Sequence, residues 1–450
     1  MNAAVVGSTF LQDPDDCIRA VLAAVVRDRE PLTIVDSPPG AGKTQLVEQI
    51  VALSVVYAGD RVYCVTPGAD QAADLARRLV ARYELPRIEM LWSSARAIPA
   101  DLAGRMMITS DPAALTAGPC VVVSTIAKLG MHRNVLDAHS YDLLVCDEAY
   151  QVPFKEFSTI ADLADRVVLV GDPGQLAPTI RVDTTRYEGT RFKVHRPAPA
   201  ELHRLHSDAR VFRLPASRRL LDDTVHIVQP SFYRTLPFGS IADAEARRLI
   251  TEVDGLGGVV DAAIDRILEG QSIVCIVVPG APPKFGERDD EVAGMMASLT
   301  ERFLTRQATW VGHRRLEARD IGVMDEHVAS GAAIRQLLRE RGLGSIKVDT
   351  PEVWQGLEVP LTIVKHPLSV ARDPGSFELD AGRFCVMLSR HLLGCVVVTR
   401  ASIEDSLRDY THDCGESAWG ADDRAWNGYR SHQRVWAELT RLDRIITATG

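Results

Sequence analysis

The segment Ser37-Pro38-Pro39-Gly40-Ala41-Gly42-Lys43-Thr44 lies between an apolar run, LTIVD (32–36), and a helix-like stretch, QLVEQIVALSVVYAG (45–59). Gly40 and Gly42 let a backbone approach a polyanion, and N–H groups at the start of a helix can cradle phosphate oxygens. In that strand–loop–helix context Lys43 would reach the β- and γ-phosphates and Thr44 would ligate Mg²⁺, with Pro39, Ala41 and Gln45 completing the loop. The pattern departs from GxxxxGK[ST] only in Ser37, which stands where the first glycine usually does. A second run, DLLVC (142–146), delivers Asp147-Glu148. Acidic residues at the carboxyl end of a parallel strand face the ligand crevice. Asp147 would hold Mg²⁺, and Glu148 would orient and deprotonate an attacking water. A chance glycine turn and a surface Asp-Glu pair are the alternatives, and the flanking strands argue against both. These residues point to hydrolysis of ATP or another nucleoside triphosphate.

The elements that must position these groups recur along the chain. Short β-branched runs occupy 32–36, 61–66, 120–125, 142–147 and 166–171, then 272–278, 320–324, 346–349, 361–366 and 394–400. Continuous apolar runs of this length suit strands buried on both faces, hence parallel sheets with helical crossovers. Residues 71–83, 292–306 and 331–342 carry helical spacing. The expected fold class is α/β, with one domain over 1–212 and a second over 213–450. The last 50 residues, with Trp419, Trp426 and Trp436 amid charge, read as a helical appendage from about 401.

Composition is that of a globular protein: 46% apolar and 25% charged among 450 residues. No run offers the roughly 18 apolar residues of a membrane span. The N-terminal residues lack the basic start and apolar core of a signal peptide. Eight cysteines stand singly with no CxxC pair, which supports neither a zinc site nor a dithiol motif. A reduced, cytoplasmic, monomeric protein without membrane contact is expected. Net charge is −9, yet residues 181–219 carry ten Lys/Arg against four Asp/Glu, which leaves −15 for the remainder. Such a segment is either an anion track or a solvated face paired with the acidic remainder.

Beyond the acidic pair, RVVLVG (166–171) leads into Asp172-Pro173-Gly174-Gln175-Leu176-Ala177-Pro178. This resembles motif III of superfamily 1 helicases, and Asp147-Glu148-Ala149-Tyr150-Gln151 resembles motif II of the branch (1B) that contains the nonsense-mediated-decay helicase. Thr66-Pro67-Gly68-Ala69-Asp70-Gln71 resembles motif Ia, and Val123-Ser124-Thr125 the backbone-contacting segment before motif II. Leu214–Leu220 resembles motif IV, Val348–Glu358 motif V and Arg383–Arg390 motif VI. The order holds from about residue 31 to 400. The resemblance implies two tandem RecA-like domains with the nucleotide in the cleft between them. It also implies Arg219 and Arg390 as cations for the transferring phosphoryl group, Gln175 as the γ-phosphate sensor, and Glu358 at the nucleotide. Thr66, Pro67 and Thr125 would contact nucleic acid, and movement would run 5′→3′.

The chain departs from that pattern in several places. No Gln stands some 20 residues before the phosphate loop to read adenine; Gln12 is further upstream. Arg218 occupies the place of a base-stacking aromatic, and could stack instead or belong to the basic segment. After DIGVM the family's TPY is Asp325-Glu326-His327, with Ser330 at a Gln position, and carboxylates would repel a phosphate backbone. Accessory insertions are missing, so translocation without efficient unwinding is conceivable. Arg186, Tyr187, Arg191 and Lys193 interleave charge with an aromatic, as a single-strand track does, or else form the domain junction. Trp354 could stack a base or sit in the core. The reading is an ATP-dependent helicase or translocase on single-stranded DNA or RNA. The alternative is an NTPase switch acting on a protein partner.

Overall fold

The structure, a computed structural model, describes residues 13–178, 180, 184, 187, 189–283, 288–369, 374–409 and 424–448. The chain divides into two compact units. One comprises residues up to Pro173 and Ala177–Ala216; the other takes Gly174–Leu176 and everything from Ser217 onward.

In the first unit, helix α1 (Pro14–Leu22) precedes β1 (Leu32–Asp36), α2 (Lys43–Val56), β2 (Arg61–Thr66), α3 (Ala69–Arg82), β3 (Ile88–Leu91) and β4 (Met107–Thr109). Then come β5 (Cys120–Thr125), α4 (Ile126–Met131), β6 (Tyr141–Cys146), α5 (Phe154–Ser158), β7 (Ala164–Gly171), α6 (Ala198–Leu205) and β8 (Arg210–Arg213). The strands form one sheet in the order β4-β3-β5-β2-β6-β7-β1-β8, every pair parallel. Side chains alternate across it. Val62 and Cys64 enter one core with α2 and α3, while Tyr63 and Val65 enter the other with α4 and α5. Burial on both faces is why these strands read as unbroken apolar runs.

The second unit runs α7 (Asp222–Phe232), α8 (Gly258–Leu268), β9 (Ile273–Val278), α9 (Asp290–Thr305), β10 (Ile321–Met324), α10 (Val328–Glu340) and β11 (Lys347–Asp349). It continues through β12 (Val359–Lys365), α11 (Ala381–Leu388), β13 (His391–Arg400), α12 (Ile403–Asp409), α13 (Arg424–Arg441) and β14 (Ile445–Thr447). Its sheet has the order β11-β10-β12-β13-β9-β14, again parallel throughout. Both units are α/β with parallel sheets. The C-terminal segment differs from the expected all-helical appendage. After α13 it adds a strand to the sheet edge, with Cys275 opposite Ile445.

The histidines buried in this unit include His366, His391 and His432. Burial, then Arg247, Arg219 and Arg390, pushes His391 down to about 3. Burial also holds His432 at about 3, opposed by the nearby backbone of Glu378. Burial, with His432 beside it, keeps His366 well below the ordinary range. Each has a folded-state value below that of the unfolded chain. As pH falls from about 6.5 toward 3, the unfolded chain therefore takes up protons that the folded one refuses, and stability is lost. Above that window the effect vanishes. Each such group approaches a slope of about 1.4 kcal/mol per pH unit. The urea midpoint should fall between pH 7.5 and 5.5, and more gently in His432→Leu; parallel profiles for the two proteins would refute this account.

Candidate nucleotide site

The phosphate loop follows β1, whose neighbours are β7 and β8. Asp36 lies in register with Gly171, and the Ser37 N–H donates to the Gly171 carbonyl at 2.9 Å. The loop therefore leaves the sheet beside the segment that resembles motif III. Gly42 caps α2 at φ 88° with open space around a hypothetical Cβ, so the left-handed backbone and not crowding calls for glycine there. No side chain caps this helix. Its first N–H groups, on Lys43, Thr44 and Gln45, start the helix where an anion would be held. α2 is buried on nearly every side, and its carboxylate Glu48 pairs with Arg82 at 3.0 Å.

Asp147 and Glu148 follow β6, the strand next to β7. The Asp147 N–H donates to Val65 O at 3.0 Å, and the Glu148 N–H to Asp147 Oδ1 at 2.9 Å. Lys43 Nζ lies 2.8 Å from Glu148 Oε1, and Gln151 Nε2 donates to Glu148 Oε2 at 3.0 Å. Glu148 has φ 54°, a left-handed conformation costing a non-glycine residue on the order of 1–2 kcal/mol. Such strain persists where surroundings over-determine it, and it concentrates at functional sites. Gly171 fits this turn closely, since a Cβ there would sit 3.0 Å from the backbone N of Ala149 and Tyr150. Burial, reinforced by Glu148 and opposed by Lys43, raises Asp147 to about 7. Burial would lower Lys43, but Glu148, Asp147 and Asp172 outweigh it and hold the ammonium above its usual range. A partly buried cation that contacts Glu148, with Asp147 and Asp172 acting on it, beside a helix start suits a metal–phosphate ligand. Open N–H groups, Thr44 and the Asp147 carboxylate fit a Mg²⁺–nucleotide.

In the second unit, residues from three separate motifs meet. Arg219 Nε donates to Glu358 Oε2 at 2.7 Å, and its Nη1 to the Ser389 carbonyl at 3.5 Å. Arg390 follows directly, is only 2% exposed, and donates to Ser389 Oγ at 3.2 Å. Arg247 fixes the backbone here, donating to the carbonyls of Arg219 and, at 2.9 Å, Arg218. Arg218 itself is exposed. Gln175 is buried and neither amide atom makes a hydrogen bond. Gly382 at the start of α11 has no room for a Cβ, which would lie 2.5 Å from the Gln175 carbonyl.

The residues expected to touch nucleic acid divide. Thr66 and Thr125 are paired in register at the ends of β2 and β5. Thr66 Oγ1 donates to Gly68 O at 2.8 Å, Thr125 Oγ1 caps α4, and Pro67 is half-buried. In the basic segment, Arg191 is exposed with its guanidinium 5.3 Å from the Phe192 ring. The Lys193 N–H donates to Glu201 at 2.8 Å. Arg204 is engaged by Glu201, Arg210 by Glu30 and Arg213 by Asp36. Much of the charge is thus spent within its own unit. Arg186 and Gln12 lie outside the described residues. Trp354 requires a correction: it is 1% exposed, and its ring fills the place where Gly322 has no Cβ, 2.4 Å from where one would be. It is core, with no face for a base. Asp325, Glu326 and His327 are likewise buried.

Three features escaped sequence reasoning. Arg247 stands in no motif. The Tyr150 hydroxyl donates to Asp36 Oδ1 at 2.7 Å, tying the acidic turn to the end of β1. Glu326, His327 and Glu378 converge although 50 residues separate them.

A phosphate loop, an acidic pair and a third motif at neighbouring strand ends of one parallel sheet define a P-loop nucleotide-binding unit. Residues 19–186 match the AAA domain family. The chain is 21% identical over 295 residues to the DNA replication ATP-dependent helicase/nuclease dna2 of Schizosaccharomyces pombe; the match covers 64% of this chain and 20% of that protein. This chain thus spans about a fifth of that relative's length. Among solved structures, it is similar to the arterivirus nonstructural protein 10 helicase in complex with DNA (13% identity, TM-score 0.41, 86% of this chain and 63% of that one). It is also similar to S. cerevisiae Dbp5 bound to Nup159, Gle1, IP6 and ADP (12% identity, TM-score 0.42, 97% and 91%). Structural likeness at that level is too loose to identify a relative. None of these matches singles out the 1B branch or the polarity expected with it. Among the described residues no helix is long and apolar enough to cross a membrane.

Proposed function

We propose that the chain hydrolyses ATP and couples hydrolysis to movement on single-stranded nucleic acid. The observation that carries this reading is the Lys43–Glu148 contact at 2.8 Å beside Asp147, on a backbone held at φ 54°. The N–H groups of Gly40 and Gly42–Gln45 bind the phosphates, and Lys43 leaves Glu148 for the β- and γ-oxygens. Magnesium held by Thr44 and Asp147 would neutralise charge on those oxygens. Glu148, released from Lys43, takes a proton from a water whose oxygen attacks the γ-phosphorus. The bond from that phosphorus to the bridging oxygen breaks, and ADP departs with the electron pair. Arg219 and Arg390 offset the charge spreading over the transferring group, and Glu358 holds Arg219 until then. Gln175, with its unsatisfied buried amide, is the proposed sensor of the γ-phosphate.

Thr66, Pro67, Thr125, Arg191 and Lys193 are the proposed contacts to the strand, with Arg218 stacking on the base of the nucleotide. The S. pombe relative is named as a DNA replication helicase, which favours a nucleic-acid track over a protein one. Steady-state ATPase with and without single-stranded DNA and RNA tests this. One polymer should raise turnover at least about tenfold, and its apparent affinity should fall steeply between 50 and 200 mM salt, as phosphate contacts demand. Hydrolysis that neither polymer changes would replace the motor with a switch acting on a protein partner.

A further inference from the structure

We infer that the second unit carries a site for one divalent transition ion of the zinc class, formed by Glu326, His327 and Glu378. This inference does not rest on the nucleotide chemistry. β10 ends at Met324, and the chain turns through Asp325 and Glu326 to His327, which caps α10. Glu378 lies on the turn before α11. One ligand atom from each of the three lies within 4.8 Å of the others, the span of a shared cation. His327 Nε2 is 3.2 Å from Glu326 Oε1 and 3.8 Å from Glu378 Oε1.

Two further observations point to a ligand. Glu326 is 4% exposed, yet neither carboxylate oxygen makes a hydrogen bond. Its nearest charged neighbour is the His327 imidazole, at 3.2 Å. Two described cations of this region are engaged by other groups: Lys365 Nζ lies 3.4 Å from Asp325 and donates to Ser330 at 3.3 Å, and Arg383 donates to Glu352 at 2.7 Å. Among the described residues no lysine or arginine pairs with Glu326. A buried carboxylate in that position is costly unless a cation meets it.

The donor set selects the ion. Imidazole nitrogen with two carboxylates suits Zn²⁺ and its neighbours, whereas Mg²⁺ and Ca²⁺ prefer all-oxygen shells. With both carboxyls ionised and the imidazole neutral the donors would sum to −2, which a bound dication would cancel. The second oxygen of Glu378 is already oriented, accepting the Gly375 N–H at 2.9 Å, as ligating carboxylates commonly are. Among the described residues three ligands converge, one fewer than a closed structural zinc site has.

The test uses the full chain, stripped with EDTA, desalted and free of nucleotide. Calorimetric titration with Zn²⁺ should show one saturable site, and Co²⁺ should develop a visible absorption band. Zn²⁺ should also raise the thermal midpoint. Glu326→Gln and Glu378→Gln should each weaken uptake at least about tenfold. Glu378 lies on a partly exposed turn, so that variant keeps its fold, as circular dichroism would verify. Failure of the wild type to take up either ion saturably would overturn the site. So would uptake by Glu378→Gln equal to wild type, since binding would then belong to thiols or to adventitious groups.

Discussion

Glu148→Gln should lower steady-state ATP turnover by about 10²- to 10⁴-fold while ATP still binds. The amide is nearly the same size and can occupy the same left-handed turn. It cannot accept a proton from water, and it gives up the ionic half of the contact with Lys43. Lys43 keeps its other carboxylates, Asp147 and Asp172, so the phosphate cradle survives the change. Phosphate release measures the rate, and equilibrium binding of a fluorescent ATP analogue measures the cradle. Loss of rate with affinity preserved identifies Glu148 as the base. A rate within about threefold of wild type would remove it from that role.

Arg219→Ala should depress kcat by about 10³- to 10⁵-fold, with KM for ATP little changed. An interaction made only in the transition state shows that split; one made equally in the ground state would raise KM instead. The fold should tolerate the change. Glu358 is half exposed, and surface ion pairs contribute roughly 0–1 kcal/mol. Arg390 makes a poorer first test, because its burial means that truncation also opens a hole. Glu358→Ala separates two meanings of the pair. If Glu358 only parks the guanidinium, turnover persists in that variant; if it positions Arg219, the two variants fail alike. An Arg219→Ala protein with wild-type kcat would leave this arginine a structural role alone.

The strands that build both sheets were readable because burial on two faces leaves unbroken apolar runs. β5 and β1 were found to the residue; β7 and β13 begin two and three residues before their apolar runs. β3, β4 and β8 were missed for physical reasons. They are short edge or near-edge segments, and β8 (RVFR) exposes an arginine at each end and only half-buries Val211 and Phe212 between them, so hydropathy hides it. The nucleotide site was legible where chemistry is contiguous, as in Gly40–Thr44 and Asp147–Glu148. Arg247 and the Glu326–His327–Glu378 cluster are products of tertiary proximity and leave no local pattern. Trp354 was ambiguous in the sequence, because an aromatic in a loop motif reads alike whether it meets a base or a glycine.

The short passage Gly174–Leu176 bears on how this protein could be taken apart or recombined. It belongs to the second unit although the chain on either side belongs to the first. Gly174 sits where a Cβ would lie 2.4 Å from the Tyr233 ring, and Gly382 accommodates Gln175 and Leu176. A genetic cut after Ala216 would hand these three residues to the wrong fragment and leave Tyr233 and Gly382 facing a groove. Neither half is then a transferable module. Crossovers between related genes at that boundary would inherit mismatched partners, and circular permutants opened there would need both pieces present for the second unit to finish packing.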